Sequence, residues 1–170
     1  MSLYQHTVPQ FIRVLGQVHR WLDKAEAHAT AKKFDVNTLL SARLAPDMYP
    51  LVRQIQTISD SAKGNAARLA GVTAPSFPDE EKTVAELRAR IDKTIAFLET
   101  LKPEQFEGAE DRTLTLPWMP GKGIKGCDYL VGFGLPNFYF HATMTYALLR
   151  HNGVDVGKMD FLGSVPFFDV

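Results

Sequence analysis

The run Leu135-Pro136-Asn137-Phe138-Tyr139-Phe140-His141-Ala142-Thr143-Met144-Thr145-Tyr146-Ala147-Leu148-Leu149-Arg150-His151-Asn152-Gly153 does most to limit what this chain can fold into. At about 100° per residue, Asn137, His141, Met144 and Leu148 fall on one line of a helix, flanked by Phe140 and Thr145. The run reads as the last long helix of a bundle, stopping at Asn152-Gly153, where a left-handed residue can end it. A histidine and an amide stand where the pattern calls for leucine. That makes this helix the place to look for chemistry.

Three further stripes have the same period. Tyr4, Val8, Phe11, Leu15, Val18, Leu22 and Ala25 alternate steps of four and three. They predict a helix from a Ser2 cap to about His28, packed along its neighbours, with Pro9 placed to kink its first turns. Asp35 is placed to cap a short helix carrying Leu39, Leu40 and Leu44. Leu51, Ile55, Ile58, Ala62 and Leu69 then predict a second long helix from about Pro46 to Gly71. Asp47 and Gln54, a heptad apart, interrupt its apolar face. After the proline-punctuated connector Ala74–Asp79, Thr83-Val84-Ala85-Glu86 matches a capping box. It opens a third helix along Val84, Leu87, Ile91, Ile95, Leu98 and Leu101, whose stripe carries no candidate ligand.

Residues 103–130 are irregular. Leu114, Leu116 and Trp118 alternate with Thr113, Thr115 and Pro117, the pattern of a short extended arm. A connection of this length folds over a bundle end and is often functional. The sum is an all-α fold: one domain over residues 1–170, a four-helix bundle with a long ordered loop between helices 3 and 4. The tail Gly157–Phe168 is apolar enough to pack along the bundle or on another subunit.

Composition narrows the function classes. The 170 residues balance 19 basic against 19 acidic side chains, which gives no electrostatic footprint for nucleic acid or an anionic membrane. No apolar run approaches a membrane span, and the N-terminus has no signal-peptide pattern. The expected address is the cytoplasm, and the lone Cys127 rules out an internal disulfide. Gly121-Lys122-Gly123-Ile124-Lys125-Gly126 formally matches a dinucleotide fingerprint. The chain lacks the strand–helix alternation and the downstream acidic residue that the pattern needs, so it reads as a turn and no nucleotide cofactor is expected.

His141 admits two accounts. It is either a core histidine held by one hydrogen bond, or a metal ligand or general base in a pocket of the kind helical bundles build between facing helices. Its company favours a polar pocket: Asn137 one turn earlier, and Asp47 and Gln54 on the second helix. Each buried polar group left unpaired costs about 1–3 kcal/mol, so these groups should satisfy one another, water or a ligand. His151, about 15 Å further along the helix, is too distant to share an ion with His141. Tyr139, Thr143, Tyr146 and Arg150 share the opposite face, and a homodimer through that face or the tail is expected.

The runs Ala42-Arg43-Leu44-Ala45-Pro46-Asp47-Met48-Tyr49-Pro50-Leu51 and Leu135–His141, with Leu149–Phe161, resemble an uncharacterised bacterial and fungal branch of the DinB/YfiT-like superfamily over nearly the whole chain. The resemblance implies a four-helix bundle and a metal site built from one histidine on the second helix and a His-x-x-x-His pair on the last. Here the pair reads Asn137-x-x-x-His141 and the second helix has no histidine, leaving Asp47 as the nearest substitute and Gln54 as reserve. An Asp47, Asn137 and His141 set would take divalent manganese, iron, nickel or zinc without selecting zinc strongly.

The first reading is therefore a metal- or histidine-dependent enzyme acting on a small molecule between helices 2 and 4. Asp47 and His141 would bind the ion or position a water, or His141 would act as general base with Asp47 fixing its tautomer. Asn137 would orient a substrate oxygen, and Gln54 would add hydrogen bonding. The second is a non-catalytic ligand-binding or dimeric scaffold whose polar core positions set register.

Overall fold

The Ser2 hydroxyl accepts the Tyr4 amide and so opens α1, Leu3–Lys32, which ends at a left-handed Lys33. The computed structural model describes residues 2–165 and 167–169; Met1, Val170 and, within the apolar tail, Pro166 lie outside it. Asp35 caps a 3₁₀ turn, Val36–Ser41, through the Asn37 amide.

α2 spans Leu51–Ala70, later than the expected start near Pro46. The cause is the pair of prolines. A residue before proline is pushed out of the α region, which keeps Ala45 and Tyr49 out of a helix. Pro50 itself is extended, with φ −69° and ψ 164°. Residues 45–48 instead close a turn through Met48 N–H to Ala45 O. Asp47 therefore sits exposed on that turn, and its expected alignment with Gln54 on one helix face is corrected. At its other end α2 stops as anticipated, at a left-handed Gly71.

α3, Val84–Thr100, begins at the expected capping box: Thr83 Oγ1 accepts the Glu86 amide, and the Glu86 carboxylate accepts the Thr83 amide. The connector before it is pinned by Arg90, which is 2% exposed and reaches Asp60, Asp79 and Glu81 at 2.7, 2.9 and 3.0 Å. Lys63 adds a bond to Asp60, and both cations lie over the Phe77 ring.

The long segment after α3 carries several short regular elements. A 3₁₀ turn at Pro103–Phe106 leads to β1, Thr113–Thr115, antiparallel to β2, Gly123–Lys125, with Leu114 opposite Ile124. The Gly121–Gly126 run is thus the far side of a hairpin. α4, Gly126–Tyr129, passes into a π-helical turn, Leu130–Gly134, and then without a break into α5, Leu135–His151. Gly126 is obligatory there, because a Cβ would fall 1.9 Å from the Ala109 carbonyl oxygen.

The result is a mostly helical fold in which α2 packs on α1, α3 and α5. Phe11, Leu15 and Leu22, then Ile55, Ile58 and Leu69, then Leu87 and Ile91, then Phe138 and Leu148 fill the shared core. Each such side chain contributes about 1.5–3 kcal/mol by leaving water. The tail packs on α1 through α6, Lys158–Leu162: Trp21 Nε1 donates to Asp160 O, and the Trp21 and Phe161 rings stack. Tyr146 is also taken into this contact, so only Thr143 and Arg150 of the face expected to pair two copies stay exposed. Phe167 and Phe168 project into solvent. Among the described residues no helix is long and apolar enough to cross a membrane.

Candidate functional site

The polar positions of α2 and α5 meet as pairs along one seam. His141, 8% exposed, places Nδ1 2.7 Å from Gln54 Oε1. The Gln54 amide nitrogen donates to Tyr49 O at 3.2 Å. A carbonyl only accepts, so this bond fixes which end of the amide faces the ring, and Nδ1 must be the donor to Oε1. The imidazole is thereby set as the Nδ1–H tautomer with a lone pair on Nε2. That atom has no protein partner among the described residues, yet is not sealed from solvent.

Burial holds His141 below the ordinary histidine value, and the nearby Arg53 guanidinium pushes the same way. Both influences favour the neutral ring. Tyr49 stacks on it with centroids 6.3 Å apart at 17°, and Phe140 meets it edge-on at 5.2 Å. The Arg53 guanidinium carbon lies 5.7 Å from the Tyr49 ring centroid.

Asn137 lies on the same face but serves a different partner, donating from Nδ2 to Ser61 Oγ at 2.7 Å. Further along, Asn65 donates to Gly134 O at 3.0 Å and accepts the Tyr129 hydroxyl at 2.5 Å, and Arg68 reaches that hydroxyl at 3.1 Å. Ser61, Asn65, Arg68 and Tyr129 were not among the residues singled out by sequence. Asn65 and Arg68 continue the Gln54 and Ser61 line at helical spacing, which was the available signal. Thr145, one turn beyond His141, holds the single buried side-chain polar atom without a hydrogen bond among the described residues.

The structure thus brings His141 and Gln54 together, sets Asn137 beside Ser61, and leaves Asp47 outside. The tautomer-fixing role expected of Asp47 belongs to Gln54. Between α2 and α5 these polar groups pair with one another. Two clefts of about 320 and 450 Å³ open elsewhere, one beside Phe77, Glu86 and Lys93, the other beside Leu40, Arg43 and Pro50. Neither is lined by His141.

Of the expected ligand set, His141 is buried, Asn137 half-buried and Asp47 exposed. The carboxylate stands on an exposed turn, and Asn137 donates its amide nitrogen to Ser61 while its Oδ1, the atom that would ligate an ion, has no hydrogen bond among the described residues. Among the described residues no three His, Cys, Asp or Glu side chains gather closely enough to share a cation.

Comparison with known proteins agrees with this architecture. Residues 3–162 match the family described as Domain of unknown function (DUF1993). A DinB family member protein from Shewanella denitrificans, known from its crystal structure, is similar at 43% identity and TM-score 0.96. The likeness covers 99% of this chain and 96% of that one. No curated protein matches the chain.

Proposed function

Because the chain belongs to the DUF1993 family, a DinB-like family of unknown function, we propose that it is a four-helix bundle acting on a small molecule, with His141 as a proton acceptor that needs no metal. One relation carries the reading. Gln54 Oε1 accepts the hydrogen bond from Nδ1–H, so the Nε2 lone pair is the reactive end of a neutral ring. A general base requires an unprotonated nitrogen held in one orientation and reachable from solvent. Burial supplies the first, and the Gln54 bond with the Tyr49 stack supplies the second.

Hydrolysis of an activated ester such as p-nitrophenyl acetate tests it. The wild-type rate should exceed that of His141→Ala by about tenfold or more, as general-base assistance predicts. The advantage should follow the neutral form of the ring as pH rises. Equal rates in the two proteins would sink the proposal.

A second reading, a scaffold whose polar pairs set helix register, is favoured by Ser61 and Asn137, which satisfy each other and leave little for a ligand. On that reading His141→Ala lowers stability and leaves the ester reaction unchanged.

A further inference from the structure

At the opposite end of the seam from His141, Arg68 ends among three aromatic rings. Its guanidinium carbon lies 5.2 Å from the Trp118 ring centroid and 6.0 Å from that of Tyr129. Phe133 completes the arc, its centroid 5.8 Å from both rings. One guanidinium N–H donates to the Tyr129 hydroxyl, which is anchored in turn on Asn65, so the head group is held by a fully buried tyrosine. A guanidinium carries five N–H donors. Among the described residues none of the others finds a protein acceptor, and no carboxylate comes within ion-pair distance. Arg53, Arg88 and Arg90 differ in that each meets at least one acid.

The surroundings are open and apolar. Trp118 is 50% exposed and Phe133 38% exposed. Two bare backbone positions flank them: a Cβ at Gly132 would meet nothing within 4 Å, and one at Gly64 would meet only the Arg68 guanidinium itself. Phe133 is presented by the π-helical turn Leu130–Gly134, a distortion frequent at functional sites. A fixed cation with unused parallel N–H groups suits a carboxylate taken edge-on. Exposed ring faces beside it suit an apolar or aromatic body attached to that carboxylate.

We propose that Arg68, Trp118 and Phe133 form a binding site for an organic carboxylate with an aromatic or apolar body. Gln54 and Arg68 stand fourteen positions apart on one helix, about 20 Å along α2, so the site is distinct from the imidazole and does not rest on the reading given to His141.

The test titrates 2-naphthoate and follows the Trp118 indole N–H by NMR, distinguished from the buried Trp21 with a Trp118→Phe variant. Two comparison ligands separate the parts: 2-naphthamide has the body without the charge, acetate the charge without the body. Saturable naphthoate binding is expected, weakened about tenfold or more for either comparison ligand and for Arg68→Gln, as loss of a charge-assisted pair implies. Because Arg68→Gln also loses the bond to Tyr129, Trp118→Ala, titrated by isothermal calorimetry because it lacks the indole probe, serves as a second variant, expected to lose binding with its thermal midpoint unchanged. Equal affinity for naphthoate and naphthamide would reduce the site to an apolar patch and overturn the proposal. So would undiminished binding to Arg68→Gln or Trp118→Ala, or an indole signal that never moves with naphthoate.

Discussion

Asn137 and Ser61 lie 76 positions apart in the chain, yet their side chains meet at 2.7 Å, one turn of α5 from the His141–Gln54 contact. Neither residue faces a titratable partner there, so the bond isolates what a neutral polar pair contributes to holding α2 on α5. Ser61→Ala and Asn137→Ala should each destabilise the protein. A double-mutant cycle in urea denaturation should give a coupling of about 1 kcal/mol between them. Strict additivity would mean that the contact contributes nothing beyond its two separate side chains.

The His141 contact carries a pH signature with a definite sign. Its value in the folded state lies below the ordinary 6.5, so the unfolded chain binds the proton more readily. The stability involved is fully present above about pH 6.5 and is lost as pH falls through the lower, folded-state value. Wild-type stability should therefore fall between about pH 7.5 and pH 5 more steeply than that of His141→Gln, which cannot take up that proton. Denaturation midpoints across that range decide it, and parallel curves would remove His141 from the account.

Much of the fold was legible because its signals are local. Ser2, Thr83 with Glu86, and Gly71 act within one turn of themselves, and each caps or stops a helix where the sequence placed it. Gln54 and His141 were each legible because each breaks an apolar stripe, but the partner expected for His141 was Asp47, with Gln54 in reserve. Asp47 was misplaced because stripe-counting ran the helix through Pro50, whose effect on Tyr49 outweighs the hydrophobic pattern. Asn65 and Arg68 escaped notice because their partners are Tyr129 and the Gly134 carbonyl. Those groups are positioned by a π-helical turn that no periodicity announces. Arg90 escaped for a similar reason: a buried arginine is indistinguishable by type from an exposed one until its three acids are brought around it.

That cluster should be the most sensitive charged feature of the molecule. Burial pushes the Glu81 carboxyl up, but hydrogen bonds from Gln56 and Arg90 outweigh it and hold the group below the usual carboxylate range. Arg90→Met would leave Asp60, Asp79 and Glu81 facing one another with Lys63 and Arg53 as their remaining cations. The expected loss is about 3–5 kcal/mol, the range for breaking a buried pair by removing one partner. Asp79→Asn, which leaves two acids on Arg90, should cost much less. Chemical denaturation of the two variants checks the ranking, and a mild Arg90→Met would mean that the connector is held by Phe77 packing alone.

Thr145 offers the opposite test, a substitution expected to stabilise. Its hydroxyl is fully buried and unpaired, while the side chain sits on the core face of α5 one turn past His141. Thr145→Val keeps the branched shape and removes the polar atom, so the desolvation cost of the hydroxyl, about 1–3 kcal/mol, disappears from the folded state. For a chain of this size a gain of about 1 kcal/mol appears as a rise of about 2–4 °C in Tm. Calorimetry measures it directly. An unchanged or lowered Tm would show that the hydroxyl has a partner in solution, which would make the interior beside His141 wetter than the paired seam implies.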